Sequence, residues 1–317
     1  MDNRLELDVD LERLSADIWL GKIEDLGEEH GYFEPLGDDH IALFLDAGPK
    51  LIVTFEVLDD ARKAAGGETV GMRYTRIDGW SHLALISREE SWFRDHRVYG
   101  FFDRLIDDGF FEDFDRVLFY GAHAGGYAAA AFSVAAPGAH VLAIRPQATL
   151  DPSVANWDTR YLAQRRQDFT SRYGYAPDMI DAASRAWVAY DPSNKFDAIH
   201  AALFTRPNVS VLKCLALGWN LNTVFQQMGI LDTLIRETMD GTLDGARFAA
   251  LIRARRSHPT FQRTLFRMAV RRNHSQLAAD MAAQIVRDSG DRFFADRLQE
   301  LRDQGFEPSR PVETDAA

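Results

Sequence analysis

The stretch "RVLFYGAHAGGYAAAAF", residues 116–132, decides the fold. An apolar run, "RVLFYG", leads into closely spaced glycines and then into an alanine-rich segment with helical composition. A strand that enters a helix through so sharp a turn presents the residue at its tip, and that residue is His123. Gly121, Gly125 and Gly126 allow the turn to be tight and the two backbones to approach each other.

Outward from the turn, β-rich runs alternate with helical patterns between residue 40 and about 220. The runs are "HIALFLDA" (40–47), "LIVTFEV" (51–57), "HLALISR" (82–88), "RVLFYG" (116–121), "HVLAIRP" (140–146), "AWVAYDP" (186–192) and "VSVLKCLAL" (209–217). The first two, separated by "GPK", read as a hairpin. The later ones are nearly continuous apolar runs, as in strands covered on both faces. Helices are expected over 92–108, 125–136, 156–172 and 194–204, and the glycine-rich segment 61–80 reads as a loop. This alternation predicts an α/β fold, a mostly parallel, doubly wound sheet. From residue 221 to about 305 the pattern is helical only, so the division expected is a sheet domain over 1–220, a helical section over 221–305 and a disordered tail over 306–317.

The 317 residues carry a formal charge of −12, with 46% hydrophobic and 26% charged residues. That balance suits a globular protein with a sizeable core and disfavours broad affinity for nucleic acid or an anionic membrane. The acidic N-terminus has no long apolar segment, and no stretch of about 18 apolar residues occurs anywhere. With a single cysteine, Cys214, unable to form an internal disulfide, a reducing, cytoplasmic location is expected. The nine histidines make no H-x-H, H-E-x-x-H or Cys/His cluster, so neither a metal nor a cofactor is expected. His200, on an expected helix, reads as a helix-face or core residue.

Gly121-Ala122-His123-Ala124-Gly125, between a strand and a helix, resembles the nucleophile elbow of α/β-hydrolases. The longer stretch "GYAAAAFSVAAPGAHVLAIRPQATLDP" resembles a bacterial group of α/β-hydrolase-like proteins, over about residues 30–235. Some members of that group carry the label phosphoadenosine phosphosulfate reductase. The residues do not support it, because an SGGKDS-like phosphate loop and a reactive cysteine near the C-terminus are both missing. The resemblance implies an order of nucleophile, acid and base. His123 stands where serine is usual, Asp191 takes the place of the acid, and Trp219 follows Gly218 where the base histidine is usual. It also implies an oxyanion hole from the backbone N–H of Ala124 and a donor near the end of the 51–57 strand, at Glu56 and Val57. A carboxylate pointing inward there would repel an oxyanion. Arg145, ending the 140–146 strand, is expected to share one cleft with Glu56, His123 and Asp191.

The serine and histidine of a hydrolase triad are thus both replaced, and a degenerate protein that binds a small polar ligand or an acidic protein partner is the first reading. Two others stand beside it. One is an active hydrolase of a small ester, thioester or amide, with His123 as a base oriented by Asp191. The other is a scaffold assembling through its C-terminal helices. Residues 245–279 hold eight arginines and no acidic residue, which fits either a solvated helix face or a docking surface for an anionic partner.

Overall fold

In a computed structural model, which describes residues 5, 7 and 9–310, eight strands form one sheet. They are β1 (Gly31–Leu36), β2 (His40–Leu45), β3 (Lys50–Val57), β4 (Ser81–Ser87), β5 (Arg116–Ala122), β6 (His140–Ile144), β7 (Arg185–Tyr190) and β8 (Val209–Lys213). Their order is β1-β2-β4-β3-β5-β6-β7-β8. The β1/β2 and β2/β4 pairs are antiparallel and every later pair is parallel.

The seven β-rich runs therefore all become strands, but the first two do not make a hairpin. β4 lies between β2 and β3, so the short link at Gly48 and Pro49 must cross the end of β4. Ser81, the first residue of β4, holds that crossing. Its hydroxyl accepts from the N–H groups of Ala47 and Gly48, at 2.9 and 3.0 Å, and donates to the Gly48 carbonyl at 2.8 Å. β1 and the leading helix Ala16–His30 lie outside the expected set; the helix is capped by Ser15 and buries Trp19, Ile23 and Leu26.

Apolar side chains cover both faces of the sheet. One face is dominated by aromatics, with Phe132 on the elbow helix stacked on Phe102 at 4.5 Å and on Phe55 at 5.6 Å. The other is built by Trp19, Ile23 and Leu26 against Leu43, Leu45, Ala84 and Ile86. Fully burying one such large side chain contributes about 1.5–3 kcal/mol, so this continuous burial on two faces is what makes the parallel strands read as unbroken apolar runs.

Two local expectations are corrected. The segment 61–80 is not a loop throughout, because Val70–Asp78 is a helix closed by Gly79 in the left-handed conformation at φ 67°. Conversely, 156–172 is not a long helix; only the short helix Pro152–Ala155 and a 3-10 turn at Gln164–Arg166 lie in or next to it. Here aspartates bind the backbone in competition with helix formation. Asp158 accepts from Arg160 N at 3.0 Å, and Asp168 accepts from Thr170 N at 2.8 Å and Ser171 N at 3.1 Å.

Contacts divide the chain into two units: residues up to Leu215 with Trp219–Ile252, and Ala216–Gly218 with Arg253 onward. The helical section that begins at 221 is thus shared. Helices Leu221–Gln227, Leu231–Met239 and Gly245–Leu251 belong to the sheet unit. The second unit packs Pro259–Arg271, Ser275–Ser289 and Arg292–Asp303 around Phe266, Phe294, Leu298 and a row of buried alanines, Ala278, Ala279, Ala282 and Ala283. Arg263, Arg267 and Arg271, spaced four apart and exposed, share one face of the first of these helices. Of the tail expected to be disordered, 311–317 lie outside the described residues. Phe306 packs on the second unit's core, and Ser309 N donates to Asp280 at 2.6 Å. No helix among the described residues is long and apolar enough to cross a membrane.

Candidate functional site

The elbow forms as its sequence demands. His123 precedes the helix Ala124–Phe132 with φ 56° and ψ −121°, a conformation that L-residues rarely adopt. Its N–H donates to Ile144 O of β6 at 2.9 Å, and its carbonyl accepts from Tyr127 N at 3.0 Å. A Cβ at Gly121 would collide with the Gly125 carbonyl, and one at Gly125 with the Phe55 carbonyl of β3. These glycines are therefore required by close approach, and they bring the end of β3 against the turn.

Behind the turn lies Arg145, also at positive φ (53°) and only 4% exposed. Its guanidinium donates through Nη1 to Nδ1 of His123, through Nε to Asp197 at 2.8 Å and through Nη2 to Tyr161 Oη at 3.1 Å. A guanidinium has donors only, so Nδ1 of His123 accepts and the ring proton sits on Nε2. Burial, reinforced by the charges of Arg145 and Arg160, lowers the His123 pKa to about 3, so the ring is neutral.

The network runs on from Asp197, which also accepts from Arg160 at 2.6 Å. Arg160 donates to both oxygens of Asp158, at 2.7 Å through Nη2 and at 3.0 Å through Nε. His200 Nδ1 accepts from Ala148 N at 3.1 Å, which leaves its Nε2–H to donate to Asp158 at 3.0 Å. Burial lowers the His200 pKa, with Asp158 opposing. Burial pushes Asp158 up, but the hydrogen bonds from His200 and Arg160 outweigh it and hold the carboxyl below its ordinary range. Two arginines thus meet two aspartates and two neutral histidines, and the buried charges balance. His200 is the buried core residue its helix suggested. Asp158, Arg160, Tyr161 and Asp197 went unrecognised in the sequence, because they come from an irregular segment and a separate helix.

On the open side of His123 is a cavity of about 670 Å3. Glu56, Val57, His123, Ala124 and Trp219 all line it. Arg145 and Asp191 are not among its lining residues: Arg145 stands behind the His123 ring, and Asp191 follows β7, two strands away from β5. Asp191 is buried and accepts from Ser193 N at 2.8 Å and Ser193 Oγ at 2.7 Å. Trp219 is 65% exposed and meets the His123 ring edge-to-face at 6.0 Å, so it rims the opening.

Glu56 lines the cavity. Val70 N donates to both its oxygens at 3.1 Å, and Thr54 Oγ1 donates to Oε1 at 2.7 Å. Thr54 spends its one proton on Glu56, so its oxygen accepts from Nε2–H of fully buried His82 at 2.9 Å. Burial raises the Glu56 pKa to about 7 against the lowering by Thr54 and Val70, and burial lowers His82 to about 3. Around them stand Phe55, Phe93, Tyr74 and Tyr120, whose hydroxyl donates to Asn222 at 2.5 Å.

No family model matches the chain, and no curated protein sequence does either. Solved structures do. The capsule O-acetyltransferase of Neisseria meningitidis serogroup A is 14% identical at a TM-score of 0.41, covering 62% of this chain and 91% of that one. An esterase of the archaeon Pyrobaculum calidifontis is 12% identical at 0.42, covering 78% and 95%. Brefeldin A esterase, a bacterial homologue of human hormone-sensitive lipase, is 13% identical at 0.40, covering 69% and 77%. By its own strand order, its parallel crossovers and its strand-turn-helix elbow, the chain has a fold of the α/β-hydrolase type.

Proposed function

We propose that this protein uses a hydrolase-type cleft to bind a small polar ligand without hydrolysing it. The observation that carries the reading is the hydrogen bond from Arg145 to Nδ1 of His123. A nucleophile or general base must offer a lone pair to the reacting atom. In His123 the lone pair is spent on Arg145, and the nitrogen left over carries a proton. The lowered pKa, about 3, makes the ring a weak base at neutral pH as well. Glu56 adds a second obstacle, because its carboxylate stands where an acyl-transfer site needs donors for a developing oxyanion. What remains is a cavity of ligand size with an N–H donor, a carboxylate and aromatic walls, which suits binding.

The test is hydrolysis of p-nitrophenyl ester and thioester panels by wild type, His123→Ala and Asp191→Asn. The expected result is a background rate in all three. Activity that falls about a hundredfold or more in His123→Ala, the low end of a general base's usual contribution, would overturn the reading in favour of an enzyme that works through His123.

A further inference from the structure

We infer that the cleft recognises a small molecule carrying an ammonium group close to a carboxylate or carbonyl oxygen, the ammonium on Glu56 and the oxygen on Nε2–H of His123. This rests on the non-hydrolytic reading of the cleft and names the ligand class that such a cleft would take.

His123 presents Nε2–H, for which no described residue supplies an acceptor, and it lines the cavity. Arg145 on the opposite ring nitrogen draws electron density away and makes that N–H a stronger donor. Glu56 presents the complementary group. A carboxylate has about four acceptor positions, and only Val70 N and Thr54 Oγ1 donate to it, so an acceptor position on Oε2 stays open. Both groups line the one cavity, and they come from adjacent strands, since β3 and β5 pair with Phe55 opposite Gly121 just before Glu56 and the elbow.

Charge selects the sign of the ligand's second group. Glu56, Asp60, Glu68, Glu90 and Asp232 line the cavity, against Lys63 and Arg73. Arg73 pairs with Asp232 at 2.5 Å, Lys63 with Asp59 at 2.6 Å and Glu68 with Arg76, which leaves Glu56, Asp60 and Glu90 to set the charge of the lining. A ligand with only negative charge meets this acidic lining unfavourably. A ligand with only positive charge leaves Nε2–H of His123 without an acceptor. A molecule with both groups satisfies both, and Phe55, Phe93, Tyr120 and the exposed Trp219 offer apolar surface to the rest of it.

Isothermal titration of the full chain with three probes of one skeleton tests this: L-phenylalanine, 2-phenylethylamine and 3-phenylpropanoate. L-phenylalanine is expected to bind about tenfold or more tightly than either single-charge probe, as loss of a charge-assisted hydrogen bond implies. Glu56→Gln should weaken L-phenylalanine and 2-phenylethylamine by about tenfold and leave 3-phenylpropanoate as tight or tighter, because one negative charge leaves the lining. Because Glu56 also caps a helix, His123→Ala serves as the second variant. It should weaken L-phenylalanine and 3-phenylpropanoate and spare 2-phenylethylamine. Equal binding of L-phenylalanine and 3-phenylpropanoate, or no binding of any probe at millimolar concentration, would overturn the inference and leave the non-hydrolytic reading standing. Conversely, turnover of L-phenylalanine p-nitrophenyl ester that His123→Ala abolishes would overturn the non-hydrolytic reading while the recognition of ammonium and oxygen survives.

Discussion

At the scale of one residue, His123 is a strained hinge with one side chain of consequence. Its φ of 56° and ψ of −121° belong to a region that costs a residue with a Cβ about 1–3 kcal/mol. The conformation is imposed from outside by the close approach of Gly121, Gly125 and the Phe55 carbonyl. His123→Gly and His123→Ala both remove the imidazole that Arg145 donates to, so the difference between them isolates the backbone strain. Glycine relieves that strain and loses only about 0.5–1 kcal/mol to its freer unfolded chain. His123→Gly is therefore expected to be the more stable of the two by about 1 kcal/mol, read as a higher denaturation midpoint at equal m-value. A midpoint higher for alanine, by the roughly 0.5–1 kcal/mol that glycine loses to its freer unfolded chain, would mean that the turn is held without strain.

At the scale of elements, the helix Val70–Asp78 shows why a sequence window and a fold can disagree. Thr69 sits at its N-cap without a side-chain hydrogen bond, and the first turn is instead served from β3, where Glu56 accepts from Val70 N. Glu56→Ala should therefore raise hydrogen exchange at Val70 and its neighbours and cost about 1 kcal/mol, a usual cap contribution, while β5 and β6 exchange as before. Unchanged protection at Val70 would show that the cap is dispensable. A cap supplied from 14 residues away is invisible to local patterning, so 61–80 read as a loop. The segment 156–172 failed for the opposite reason. Its composition suits a helix, but buried Asp158 gathers Arg160 and His200 and turns the backbone to do so. The strands were legible because burial on two faces writes itself into continuous apolar runs. The elbow was legible because close backbone approach admits only glycine at Gly121 and Gly125. The Arg145 contact with His123 was not, because it depends on where two strand ends meet in space.

At the scale of the whole molecule, the buried titratable groups set how stability depends on pH. Folding holds His82 and His123 at about 3, and lowers His200 as well, against an ordinary value of 6.5. As pH falls below 6.5 the unfolded chain takes up protons that these rings refuse in the folded state, so their contribution to stability is lost toward acid. Glu56 acts with the opposite sign. Its folded value of about 7 lies above its ordinary 4.5, so the folded state binds the proton more tightly and stability falls as pH rises through that window. Where the windows overlap, three histidines oppose one glutamate and the acid loss prevails. Stability should therefore rise from acid and level off above about pH 7. His82→Gln, which keeps a donor for Thr54 but cannot titrate, should flatten the acid limb by about 1.4 kcal/mol per pH unit, the full weight of one proton. Glu56→Gln removes the one opposing titration and should steepen the acid limb below about pH 7. Urea denaturation from pH 5 to 8 in about half-unit steps reads all three curves. A wild-type profile that stays flat across this range would mean that the rings and Glu56 titrate alike in the folded and unfolded chains. In that case the neutral His123 of the proposed binding site would lose its physical basis.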